Sequence, residues 1–164
     1  MSIPDLNTEG LLPEGRHRAT LQELEATFVT NAPFAERRRL IFDAFSVWLR
    51  QVSELLPGHR YWVDGGFVTH KPWSAPKDID VVLLARQIEL NQLSPDEQDS
   101  LSHLMTVNAS GRRIQPMNGL VDAFVAIREE PESAPYWHRT WSAVRAEDGG
   151  TRDNVSKGYL EVVA

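Results

Sequence analysis

The sequence predicts an α+β fold, and three observations carry that prediction. Residues 36–56 set Leu40, Ile41, Ala44, Phe45, Trp48, Val52 and Leu55 at helical spacing, a continuous apolar stripe that Pro57-Gly58 ends. Residues 61–84 hold two apolar runs, Tyr61-Trp62-Val63 and Ile79 to Leu84, separated by Gly65-Gly66 and a polar loop broken by prolines. Residues 120–127 are rich in β-branched and aromatic side chains and follow Asn118-Gly119, as a strand entered from a turn does. At 164 residues the chain is long enough for one core and is expected to form a single domain over 1–164.

The remaining elements follow in order. Residues 1–19 contain Pro4, Gly10, Pro13 and Gly15 and read as an irregular arm, with no chemistry assigned to His17. Thr20 and Glu23 form a capping box, so a short helix should start there and run to about residue 28, with a break at 31–33. Arg37, Arg38 and Arg39 open the long helix and read as a solvated basic turn, a run that could also reach an acceptor or a phosphate. Residues 86–92 are a polar connector able to start a helix. Ser94-Pro95-Asp96-Glu97 then combines a cap, a proline at the first helical position and a glutamate at the third. It predicts a helix to about residue 107 that buries Leu101, Leu104 and Met105, with His103 as an ordinary helix residue. Residues 108–119 read as a loop. Residues 136–146 read as a helix with Trp137, Trp141 and Val144 on one side, most simply core. A polar loop at 148–154 and a last strand at 157–163 complete the chain, with Lys157 read as a surface residue.

Composition narrows the function. The apolar fraction of 41% and charged fraction of 24% are those of an ordinary globular protein. A net charge of −6 disfavours a general nucleic-acid surface, so no extended DNA binding is expected. The absence of cysteine excludes disulfides and cysteine-based zinc sites. No apolar run approaches membrane-spanning length, and MSIPDLNTEG lacks the basic and apolar regions of a signal peptide, which makes the cytoplasm the expected location.

The residues that point to chemistry are acidic. Side chains alternate along a strand, so Asp78 and Asp80 face the same way, about 6 to 7 Å apart. Two carboxylates on one face of an apolar strand repel each other and resist desolvation, and oxygen donors of this kind suit Mg²⁺. Gly65-Gly66 offers backbone amides without side-chain obstruction, as a phosphate requires, and Lys71 and Lys77 lie between the two parts. The plainer alternative is that Asp78-Ile79-Asp80 is the polar edge of a strand. Asp122 shares its face with Phe124 and Ala126 in an otherwise apolar strand, where a lone acid is costly. It either joins Asp78 and Asp80 around a cation or pairs with Arg112 or Arg113.

Apolar-Gly-Gly, a gap and Asp-Ile-Asp resemble the signature of the polymerase-beta-like nucleotidyltransferase superfamily. More closely, Leu12-Pro13-Glu14-Gly15-Arg16-His17, Gly65-Gly66-Phe67-Val68-Thr69-His70-Lys71 and Lys157-Gly158 are similar to motifs of a small nucleotidyltransferase-like family, so the resemblance spans nearly the whole chain. Gly66 stands where Ser is commoner. The resemblance implies a nucleotidyltransferase-like fold, a small mixed sheet with helices packed mainly on one face. It implies catalytic and metal-binding roles for Asp78, Asp80 and Asp122 with two Mg²⁺ (or Mn²⁺) ions. It further implies a nucleoside triphosphate (ATP or another NTP) held by Gly65, Gly66, Phe67, Thr69, Lys71 and Lys77. The expected reaction moves an NMP to a hydroxyl of a protein, tRNA or small-molecule acceptor. Single-domain members resemble components of toxin–antitoxin or defence systems. The alternatives are a non-catalytic module that binds a nucleotide or partner through the same cleft, and a phosphoesterase built on the same acids.

Overall fold

Alternating apolar strands that cannot each bury both faces alone collect into one sheet, and the helices cover what remains. The computed structural model describes residues 3–163, so Met1, Ser2 and Ala164 of the expected domain lie outside the described residues. The described residues form a mixed five-stranded sheet in the order β1-β9-β2-β3-β6. Its strands are β1 (Gly15–Ala19), β2 (Arg60–Asp64), β3 (Ile79–Ala85), β6 (Val121–Ile127) and β9 (Gly158–Val163). The β2–β3 and β2–β9 pairs are antiparallel, whereas β3–β6 and β1–β9 are parallel. This is the expected α+β class with a mixed sheet.

The helices are α1 (Leu21–Glu25), α2 (Ala35–Leu55), α3 (Gln87–Gln92), α4 (Pro95–His103), the short turn α5 (Pro116–Gly119) and α6 (Ser133–Ser142). Both capping boxes form as the sequence predicts, Thr20 with Glu23 and Ser94 with Glu97. The predicted long helix lies within a residue of its expected start and end. Its stripe of Ile41, Phe45, Trp48 and Val52 is fully buried against Tyr61, Val63, Val81 and Leu83. Each such side chain contributes about 1.5–3 kcal/mol on burial. Alternation sends Trp62, Val82 and Phe124 to the opposite face, where Trp137 and Trp141 of α6 cover them. The helices therefore pack mainly on one face, with α6 over part of the other. No helix among the described residues is long and apolar enough to cross a membrane.

The structure corrects several expectations. Residues 15–19 are not part of an irregular arm: they pair with β9, because Gly158 brings its backbone close to Pro13 and Gly15. A Cβ at Gly158 would stand 2.1 Å from the Pro13 carbonyl oxygen, and its amide donates to Leu12. The Leu-Pro-x-Gly-x-His and Lys-Gly motifs thus meet in one contact, in which His17 Nε2 lies 2.7 Å from the Pro13 carbonyl oxygen. Residues 107–114 are not a loop but a small hairpin, β4 (Val107–Ala109) and β5 (Arg112–Ile114), turned by Ser110 and Gly111 in left-handed conformations. The expected 136–146 helix begins at Ser133 and stops at Ser142. Residues beyond it form β7 (Ala143–Arg145), paired with β8 (Thr151–Ser156) in place of the expected loop. Isolated two-stranded pairings of polar residues leave little periodicity to read.

The basic turn is only partly solvated, because its middle residue turns inward. Arg37 donates to the carbonyls of Pro76 and Lys77, Arg39 pairs with Glu25, and Arg38 is fully buried. Arg38 donates to the carbonyls of Phe28, Pro33, Phe67 and Thr69, fastening the chain that follows β2 to the start of α2. Burial lowers its pKa to about 10, so it stays charged at neutral pH.

Candidate metal and nucleotide site

Strand register does most of the assembly here. Asp64 at the end of β2 lies opposite Asp80 on β3, and Asp80 lies beside Asp122 on β6. Residues in register on neighbouring strands share a face, with about 4.8 Å between strands. Three carboxylates therefore stand in a row across the sheet, and Asp78, just ahead of β3, adds its charge to that of Asp80. The row occupies the sheet face that α6 covers farther along.

Each acid is held differently. Asp78 Oδ2 accepts from Gln115 Nε2 at 2.9 Å. Asp122 is buried: Oδ1 accepts from the Thr106 hydroxyl at 2.7 Å and Oδ2 pairs with the Arg113 guanidinium. The Thr106 oxygen in turn accepts from the Ala123 amide, which fixes the approach to β6. Asp64 is buried and paired with Lys157, itself buried. Burial pushes the Asp64 carboxyl upward, and Lys157 is the main opposing influence. Asp80 has no side-chain hydrogen bond among the described residues. Burial first, then the charges of Asp78, Asp64 and Asp122, push its pKa up to about 7.

Gly65 explains how the chain passes this cluster. Its φ of +81° belongs to the region glycine favours, and a Cβ there would stand 1.7 Å from Asp80 Oδ2. At Gly66 an added Cβ would find its nearest neighbour 4.0 Å away, at Pro76, so the backbone there accommodates the commoner serine of the resembling motif.

The other residues singled out in the sequence divide. Lys71 is half-buried near Asp64, Lys157 and Arg145, and burial followed by those two cations lowers its pKa. The Phe67 ring is fully buried in the main core beneath Arg38, and the Thr69 hydroxyl donates to the Gly66 carbonyl, so both side chains serve the loop's own shape. Lys77 is exposed, and its carbonyl is engaged by Arg37. The structure thus brings together Asp78, Asp80, Asp122, Gly65 and Lys71, and not the side chains of Phe67, Thr69 and Lys77.

The sequence reading missed Asp64 and took Lys157 for a surface residue. The available signal was period two from Trp62, which puts Asp64 on the α6 face; its partner, 93 residues away, has no local signature. Because both groups are buried, removing one leaves the other charge without compensation. Lys157→Met is expected to lower unfolding stability by about 3–5 kcal/mol. The double variant Asp64→Asn/Lys157→Met is expected to recover most of that loss in denaturant titrations; no recovery would show that Lys157 stabilises through contacts other than Asp64.

As it stands the cluster is an anionic one held by protein donors. Among the described residues no group of three or more acidic or histidine side chains is drawn together closely enough to hold a metal ion. The donor chemistry nevertheless fits a hard cation, with oxygen ligands throughout and Asp80 lacking a donor while its charge is resisted from three sides.

Comparison with known proteins gives a family without an assigned activity. Residues 4–163 match the model of a family of unknown function, DUF6932, and the chain belongs to that family. No curated protein and no solved structure matches it.

Proposed function

We propose that this member of DUF6932 is a metal-dependent nucleotidyltransferase, transferring a nucleoside monophosphate from a nucleoside triphosphate to a hydroxyl of an acceptor. The observation that carries the reading is the in-register row of Asp64, Asp80 and Asp122, with Asp78 beside it and Gly65 against Asp80. Two strands joined through a glycine turn, with a third acid on a later strand, are what the resemblance to the polymerase-beta-like superfamily implies, and we read the fold as nucleotidyltransferase-like on that ground.

In this reading Asp78, Asp80 and Asp122 would hold two Mg²⁺ or Mn²⁺ ions. Bound there, the ions would lower the pKa of the acceptor hydroxyl and offset the charge of the leaving pyrophosphate. The protein's own contributions follow from the residues. The backbone at Gly66, where an added Cβ would meet nothing nearer than Pro76 at 4.0 Å, leaves room for the polyphosphate. Lys71 and Lys157 supply positive charge on the Asp64 side. The acceptor oxygen forms a bond to the α-phosphorus as the bond to pyrophosphate breaks, and Asp122 takes the hydroxyl proton. One observation favours the non-catalytic module instead: Thr106 and Arg113 already satisfy Asp122.

The deciding experiment incubates the protein with each α-labelled NTP, Mg²⁺ or Mn²⁺ and a cell lysate. Nucleotidyl transfer is expected to label a discrete protein, RNA or small molecule and to release pyrophosphate. Nucleotide binding without transfer supports the binding module, and NMP release without an acceptor supports a phosphoesterase.

A further inference from the structure

One segment, residues 106–115, supplies hydrogen bonds to two of the three proposed metal ligands. Thr106 and Arg113 hold Asp122, and Gln115 holds Asp78. Between Thr106 and Gln115 lies the β4–β5 hairpin, all of whose strand residues are exposed. The Arg113 side chain is 51% exposed while that of Asp122 is 7% exposed, so the cation comes from the solvent side to a buried anion. Its guanidinium rests 5.6 Å from the centroid of the Phe124 ring, a neighbour of Asp122 on the same face of β6.

A divalent ion ligated by Asp122 and the Arg113 guanidinium would claim the same carboxylate. A half-exposed arginine on an exposed hairpin is inexpensive to move, because water satisfies its donors once it leaves. The guanidinium fork also matches a phosphate as well as a carboxylate. We infer that Arg113 is a stand-in cation: it neutralises Asp122 in the absence of metal, and metal with nucleotide displaces it toward the substrate's phosphates. Arg113 then uses its two partners in turn, while Gln115, one residue past the hairpin, stays on Asp78. The inference rests on the metal reading given above.

The test is Mn²⁺ titration of the full chain, followed by electron paramagnetic resonance, with and without a non-hydrolysable NTP analogue. Arg113→Ala is expected to bind Mn²⁺ alone about fivefold more tightly, the competing ion pair having been removed. The same variant is expected to bind the analogue in the presence of Mn²⁺ more weakly than the wild type. Arg113→Gln, which keeps the stem over Phe124, should show both signs. Unchanged or weaker Mn²⁺ binding in both variants overturns the inference while leaving the metal site standing. Absence of Mn²⁺ binding in wild type and variants alike overturns the metal reading and the inference with it.

Discussion

Arg38→Ala is expected to remove at least about 5 kcal/mol of stability, enough to unfold a typical domain outright. The reason is the number of groups one side chain satisfies. Its guanidinium lies 2.7 Å from the Pro33 carbonyl oxygen, 3.1 Å from that of Phe28, 2.6 Å from that of Phe67 and 2.5 Å from that of Thr69. Truncation leaves these carbonyls without their donor, at about 1–3 kcal/mol for each buried acceptor, and opens a cavity beside the Phe67 ring. Lysine is not expected to rescue it, because a single ammonium cannot span four carbonyls in the plane of a guanidinium. Denaturant unfolding followed by circular dichroism measures the loss. A change below about 1 kcal/mol would mean that the loop is held by other contacts.

Asp80→Asn is expected to produce two effects of opposite sign. Without metal the variant should be more stable than the wild type, because it removes a charge that burial and three neighbouring carboxylates oppose. The pH dependence follows from the shift. The folded carboxyl is pushed up to about 7 from an ordinary 3.8, so folding favours the protonated form. That contribution is complete below about pH 4, fades as pH rises toward 7, and is gone above it. The stability difference between variant and wild type should therefore be small near pH 4 and grow to the order of 2–4 kcal/mol above pH 7. With metal the order reverses. Wild-type protein should gain thermal stability from NTP and Mg²⁺, more so as pH rises through 7 and Asp80 ionises, whereas the variant should show no shift. Transfer of label should fall by at least about a thousandfold. A variant that is destabilised in the absence of metal, or that keeps the metal-dependent shift, removes the basis for the two-ion reading.

Much of this arrangement was legible in the sequence, and the exceptions share a cause. Asp78, Asp80 and Asp122 stood out because an acid inside an apolar strand is locally conspicuous, and register then set Asp80 beside Asp122. Helix α2 and the two capping boxes were legible because spacing and caps are local properties. Arg38, Lys157 and Asp64 were misread or missed because their partners are distant in the chain. A triple arginine at a helix start looks solvated until the carbonyls of Phe67 and Thr69 are folded onto the middle residue. Glu161 is the same case. It is buried at the far end of the sheet among Arg16, Arg18 and Arg60, and accepts from the Trp62 indole at 3.1 Å, a contact across 99 residues. The weak strands β1, β7 and β8 were not legible because parallel edge pairing and short polar hairpins carry little alternation.

The placement of β9 between β1 and β2 has a consequence for how the protein comes into being. On a ribosome, β1 and β2 emerge early and have no route to each other until residues 158–163 arrive to bridge them. Lys157 emerges just ahead of that bridging strand, so a growing polypeptide carries Asp64 without its counter-charge until 93 further residues have been added. Closure of the sheet and neutralisation of that acid are thus one event, whereas the strands that carry the acidic row, β2, β3 and β6, are direct neighbours and can pair before it.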